Sequence, residues 1–137
     1  MIFVDTGFFF ALLSEKDPDH GRTLEVFQTL RGRNLPDILV TTNHVVFETI
    51  TLAQARAGHE LAVQAGDILF GEKLARIHRA SFEEEKSAFD YLRRHRDKRY
   101  SAVDCLSFVV MESQGIREAL AVDEHFTHRF VARPGPP

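Results

Sequence analysis

The chain has 137 residues, 44% hydrophobic and 27% charged, with a net charge of −3. This describes one globular domain with a sizeable core, and it excludes a protein coated in basic surface, though not an uneven charge distribution that meets nucleic acid. No stretch approaches the roughly 20 apolar residues of a membrane span, no basic region of a signal peptide precedes the first apolar run, and the single cysteine, Cys105, has no internal disulfide partner, which fits a reducing cytoplasm.

Ile2-Phe3-Val4 is a short apolar run stopped by Asp5, the pattern of a strand buried on both faces. Thr6 to Glu15 reads as a helix. Phe8, Phe9, Phe10, Ala11, Leu12 and Leu13 make it apolar nearly all round, so it should be buried. One sheet covers only one side of such a helix, which leads to the expectation of a homodimer contact there. The other reading buries the extra phenylalanines under the next helix.

Lys16-Asp17-Pro18-Asp19 is a turn. From His20, the spacing of Leu24, Phe27 and Leu30 predicts a helix ended by Gly32. Pro36-Asp37 reads as a turn and Ile38 to Thr41 as a second buried strand. Thr42-Asn43 caps a helix to about Ala57, with Val46, Ile50, Ala53 and Ala57 as its stripe. Glu48 lies at the boundary of that stripe, in the second turn.

Glu60 to Phe70 is a further helix, closed by Gly71, and Leu74 to Ile77 a weak third strand. Ser81 starts a helix with Glu83 and Glu84 in its first turn, where they suit the helix dipole. Arg93-Arg94-His95-Arg96-Asp97-Lys98-Arg99 then places five cations and one anion in seven residues, followed by Tyr100. Ser101 begins a helix to Gly115 carrying Val103, Leu106, Val110 and Met111. Ala119 to Val122 is a fourth strand, stopped by Asp123. Glu124 to Arg129 makes a short helix, Phe130-Val131 an edge strand, and Pro134 to Pro137 a frayed end. Strands alternating with helices predict an α/β sandwich on a mostly parallel sheet.

Two strands end in an acid, Asp5 and Asp123. In a parallel sheet both lie on the carboxyl edge, where ligands bind. Each has a plain reading as a helix N-cap. Asp104 has one too, because Ser101-x-x-Asp104 is a capping-box pattern, and Glu48 reads as a solvated helix residue. Taken together, four clustered carboxylates repel unless cations neutralise them. Oxygen ligands without paired His or Cys favour Mg²⁺ or Mn²⁺ over zinc, and such a site serves metal-assisted phosphodiester hydrolysis.

The histidines, His125 and His128 included, show no ligand spacing and read as surface or core-edge residues. Ser101 and Ser107 lack a histidine partner. No phosphate-binding glycine loop occurs, and Asp5-Thr6-Gly7 lacks the second Asp of a phospho-aspartate enzyme. The cationic run reads plainly as a solvated loop. At the rim of an acidic site, Arg93, Arg94, Arg96, Lys98 and Arg99 would instead hold RNA phosphates, and Tyr100 would offer a stacking face to an unpaired base.

These pieces in this order resemble a PIN domain, most closely a VapC-type toxin. The resemblance is carried by Val4-Asp5-Thr6, by Thr41 to Thr49, by Tyr100 to Phe108, by Gly115-Ile116 and by Ala119 to Phe126, and it extends from Ile2 to about Val131. It implies a three-layer, Rossmann-like α/β/α sandwich with four to five strands. The nuclease domain would span residues 1–133, ahead of a tail at 134–137. It also implies a cytoplasmic endoribonuclease dependent on Mg²⁺ or Mn²⁺, the toxin of a type II toxin–antitoxin pair. The family's acids map onto Asp5, Glu48, Asp104 and Asp123, with Thr6 and Ser101 in supporting positions. A VapB-like antitoxin would silence the site, an Arg or Lys of its peptide entering the carboxylates. Departures fall after Phe126, where Pro134 to Pro137 is unusual.

Two other readings stand beside this one. A non-cleaving PIN-fold RNA-binding or regulatory subunit is disfavoured by the intact set of acids. A nuclease acting on DNA ends calls for a larger basic surface or a long insertion, which this chain lacks.

Overall fold

The computed structural model describes residues 1–137. Its centre is β1 (Ile2–Val4), whose Phe3 and Val4 are completely buried. β1 pairs in parallel with β2 (Leu39–Thr42) on one side and β4 (Glu118–Ala121) on the other. β3 (Arg76–His78) lies outside β2 and β5 (Val131–Pro134) outside β4, so the all-parallel sheet runs β3-β2-β1-β4-β5.

The strand order reverses at β1. The chain first steps outward through β2 to β3, then crosses back to β4. Crossovers between parallel strands are right-handed, so the two directions lay helices on opposite faces. One face carries α1 (Thr6–Leu13), α2 (His20–Gln28), α4 (Asn43–Ala57) and α5 (His59–Phe70). The other carries α6 (Phe82–Arg94), α7 (Ala102–Ser113) and a short 3₁₀ turn, His125–His128. This is the expected three-layer α/β/α sandwich. No helix is long and apolar enough to cross a membrane.

The caps follow local chemistry. Thr42 accepts a hydrogen bond from the Val45 amide at the start of α4, and Ser81 forms a full capping box with Glu84. The histidine and glutamate side chains His44 and Glu85 then tie α4 to α6 at 2.8 Å.

Four expectations are corrected. Residues 35–38, read as a turn and the start of a strand, form a one-turn helix, α3 (Leu35–Ile38), because proline is tolerated in the first turn of a helix. The third strand begins later than expected, at Arg76. The expected frayed end at Pro134 is instead the last residue of β5, paired with Ala121, and the Gly135 amide donates to Ala121 O at 3.0 Å while Arg22 donates to Gly135 O. Edge position explains why a strand tolerates this proline, which has no amide to donate. Finally, the phenylalanines of α1 need no second copy to cover them, while Leu12 and Leu13 remain half-buried. Phe8 and Phe9 are 1% exposed and Phe10 5% within the single chain. Phe8 and Phe9 join the main core, and Phe10 packs with Ala53 and Ala62 of α4 and α5 in a separate small cluster. The phenylalanines are therefore buried within the chain, although α4 and α5 contribute as well as the neighbouring α2.

Candidate active site

In an open α/β sheet, ligands bind outside the carboxyl ends of the strands where the order reverses. Here that point lies between β1 and β4. Asp5 follows β1 directly, and Asp123 follows β4 after Val122. Asp104 comes from the first turn of α7 and Glu48 from the second turn of α4.

The sheet and the helix starts bring the four acids to one place. Burial, reinforced by the charges of Asp104, Asp123 and Glu48, raises the Asp5 carboxyl well above its ordinary value. Burial also raises Glu48, with Asp104 and Asp123 adding to it. The Thr6 hydroxyl faces Glu48 and opposes that rise, without forming a hydrogen bond of normal geometry. Burial raises Asp123, offset in part by His125.

Asp5 decides between capping and a site. It occupies the N-cap position of α1, with extended backbone, yet its side chain makes no capping hydrogen bond. It is 3% exposed, and its Oδ1 is buried with no partner at all, as is the Thr6 hydroxyl. A buried carboxylate oxygen without a partner is costly. No Lys or Arg forms an ion pair with any of the four acids. No Lys or Arg therefore compensates the charge, and the one basic side chain in contact with the acids is His125, on Asp104.

Asp104 does both jobs. The Ser101 amide and the ring Nδ1 of His125 both reach its Oδ2, at 3.0 and 2.8 Å, and Ser101 Oγ accepts from the Asp104 amide. Its Oδ1 is left without a hydrogen bond. The capping box is real, and it uses only half of the carboxylate.

The donor set fits a hard divalent cation, with oxygen ligands, excess negative charge and an orphaned buried oxygen on Asp5. No three of the acidic, histidine or cysteine side chains already converge on a single point as ligands. Magnesium suits such an arrangement, since it takes one or two carboxylates and keeps several waters. Cys105 supplies no thiolate, because burial pushes its thiol up to about 11. A cavity of about 630 Å³ is lined by Met111, Ile116, Arg117 and Arg129 among others and contains none of the four acids.

The PIN domain model matches residues 2–129. The chain belongs to the PIN domain family. Two curated relatives, both the 23S rRNA-specific endonuclease VapC20 of Mycobacterium tuberculosis (strains CDC 1551 and H37Rv), are 38% identical to it over 127 residues, 93% of this chain and 92% of theirs. The crystal structure of Mycobacterium tuberculosis VapC20, described as a sarcin-ricin loop cleaving toxin, superposes with a TM-score of 0.84 at 35% identity, covering 93% of this chain and 94% of that one.

Around the acids of this PIN domain, two sequence readings change. Arg93 and Arg94 end α6, and Arg96, Lys98 and Arg99 lie in the connection to α7. All five are exposed and none is in an ion pair. Tyr100, however, is 6% exposed and is not open to a base. It packs edge-on against Phe108 at 5.0 Å, and its hydroxyl is 2.8 Å from His128 Nδ1. The missed site residue is His125, which sequence spacing gave no reason to select. Its ring meets an acid 21 positions away, a contact that only the fold creates.

Proposed function

We propose that this PIN domain is a metal-dependent endoribonuclease that hydrolyses RNA phosphodiester bonds and acts as the toxin of a toxin–antitoxin pair. The observation that carries the reading is the orphaned, buried Asp5 Oδ1 among three further carboxylates at the reversal point of the sheet. Asp5 and Asp104 would hold Mg²⁺ or Mn²⁺, with Glu48 and Asp123 completing the set directly or through water. When bound, such an ion neutralises the acids, polarises the phosphate and activates a water.

The protein's own residues prepare for this. Asp104 turns one oxygen to the Ser101 amide and His125, which fixes the direction of the other. Thr6 places a hydroxyl beside Glu48. The exposed cations 93–99 hold phosphates of the RNA strand as it enters past the start of α7. The relatives' name makes 23S rRNA the substrate to try first. The cognate antitoxin, a VapB-like protein in the same cytoplasm, would bring a cation into the acidic site. Assembly of two copies would draw on exposed apolar side chains, and Phe47, Phe70, Phe82 and Phe89 are all exposed.

The test is incubation of the purified protein with 23S rRNA in Mg²⁺, in Mn²⁺ and in chelator. Discrete cleavage that needs metal and stops on addition of the neighbouring gene's product is expected. Binding without cleavage in either metal would favour the regulatory-subunit reading instead.

A further inference from the structure

We propose that His125 is a positioning residue that fixes Asp104 and Asp123 relative to each other, its ring holding one acid and its backbone amide the other. The consequence for metal rests on the reading of these acids as a metal site.

The two acids come from different elements, the first turn of α7 and the loop after β4. Something must set their separation. His125 Nδ1 lies 2.8 Å from Asp104 Oδ2, and the His125 amide donates to Asp123 Oδ1 at 3.0 Å. A carboxylate oxygen accepts, so the ring proton is on Nδ1. In each acid one oxygen is thereby engaged, and the other, Asp104 Oδ1 or Asp123 Oδ2, makes no hydrogen bond within the chain.

The ring is itself held. It stands edge-to-face on Tyr100, 5.6 Å between centroids at 81°. Tyr100 is anchored by His128 and Phe108. Phe126, the next residue, is completely buried between Phe3 of β1 and Phe108 of α7, with centroids 6.2 and 5.1 Å away. The 3₁₀ turn is thus pegged into the core by Phe126 and tied to Tyr100 by His128. A surface ion pair contributes little because both side chains move in water. This pair differs, since the Asp104 side chain is only 10% exposed and the His125 side chain 24%. Partners that orient a metal-binding carboxylate typically matter by 10–100-fold in metal affinity or activity.

The experiment compares the full-length wild type with His125→Ala and His125→Asn. The asparagine amide can stand where the ring Nδ1–H was. Mn²⁺ binding is measured by calorimetry, cleavage by kcat and KM for RNA, and folding by melting in chelator. His125→Ala is expected to weaken Mn²⁺ binding about 10–100-fold and to lower kcat with little change in KM, and His125→Asn to recover most of both. Unchanged Mn²⁺ affinity in His125→Ala overturns the inference. So does a loss that His125→Asn fails to recover while melting falls, since that is the signature of packing alone. Wild type that binds Mn²⁺ without cutting RNA removes the endoribonuclease reading, and the Mn²⁺ comparison still decides this one. Wild type that binds no Mn²⁺ overturns both.

Discussion

Asp5→Asn should make the metal-free protein more stable at neutral pH, although it alters the most deeply buried acid of the site. Wild-type Asp5 is 3% exposed, its Oδ1 has no partner, and three other acids press on it. An unsatisfied buried polar group costs about 1–3 kcal/mol, and a charged one more. The amide of asparagine carries no charge and can donate to the neighbouring carboxylates. A gain of about 1–3 kcal/mol in chelator corresponds to roughly 3–15 °C in melting temperature for a domain of this size.

The pH dependence has a definite sign. The folded-state pKa of Asp5 is raised. Its contribution is therefore most favourable below the unfolded value, near 4, and is lost as pH rises through the folded value. The advantage of Asp5→Asn should grow as pH rises from 4 and fade as pH falls back toward 4. Added Mg²⁺ at a thousand times the dissociation constant should reverse the order, because only the wild type then gains binding energy, about 4.1 kcal/mol. The assay is differential scanning calorimetry at several pH values, with chelator or Mg²⁺. An Asp5→Asn protein that melts below wild type in chelator at pH 7.5 would refute the reasoning and make Asp5 a structural cap.

Replacing Arg93, Arg94, Arg96, Lys98 and Arg99 with Gln should weaken RNA binding and flatten its salt dependence, because fewer counterions are released; an unchanged slope in a filter-binding titration would make the run a solvated loop. Gly7→Ala should disturb the site from the side of α1. A Cβ there would lie 2.8 Å from Val122 Cγ2, and Val122 leads into Asp123. Overpacking of this kind costs about 1–3 kcal/mol, so the variant should melt lower and cleave more slowly, and Val122→Ala should restore both. Wild-type stability and activity in Gly7→Ala would show that the helix and strand are not fixed at that contact.

Much of this was legible because it is local. Strands stopped by Asp5 and Asp123 declare themselves by composition, and a parallel sheet puts both acids on one edge without further information. The caps at Thr42, Ser81 and Ser101 follow from side-chain chemistry within a single turn. The parts that sequence did not disclose depend on distant partners. Tyr100 follows five cations and reads as exposed, but Phe108, in the helix that follows, and His128, 28 positions on, bury it. The phenylalanines of α1 lack cover until α2, α4 and α5 are laid around them. Pro134 reads as a breaker because nothing nearby shows that it occupies an edge strand. His125 lies two positions after Asp123 in the chain, and its contact with Asp104 exists only once the 3₁₀ turn is pegged by Phe126.

The most direct measurement is the rate of RNA cleavage by Asp104→Asn beside wild type in Mg²⁺, with melting recorded on the same samples. Asparagine can still accept from the Ser101 amide, so the capping box survives. A metal-binding role for Asp104 requires loss of cleavage to background in a protein that remains folded. Cleavage at the wild-type rate, with only an earlier melting transition, would contradict it and leave Asp104 as a helix cap alone.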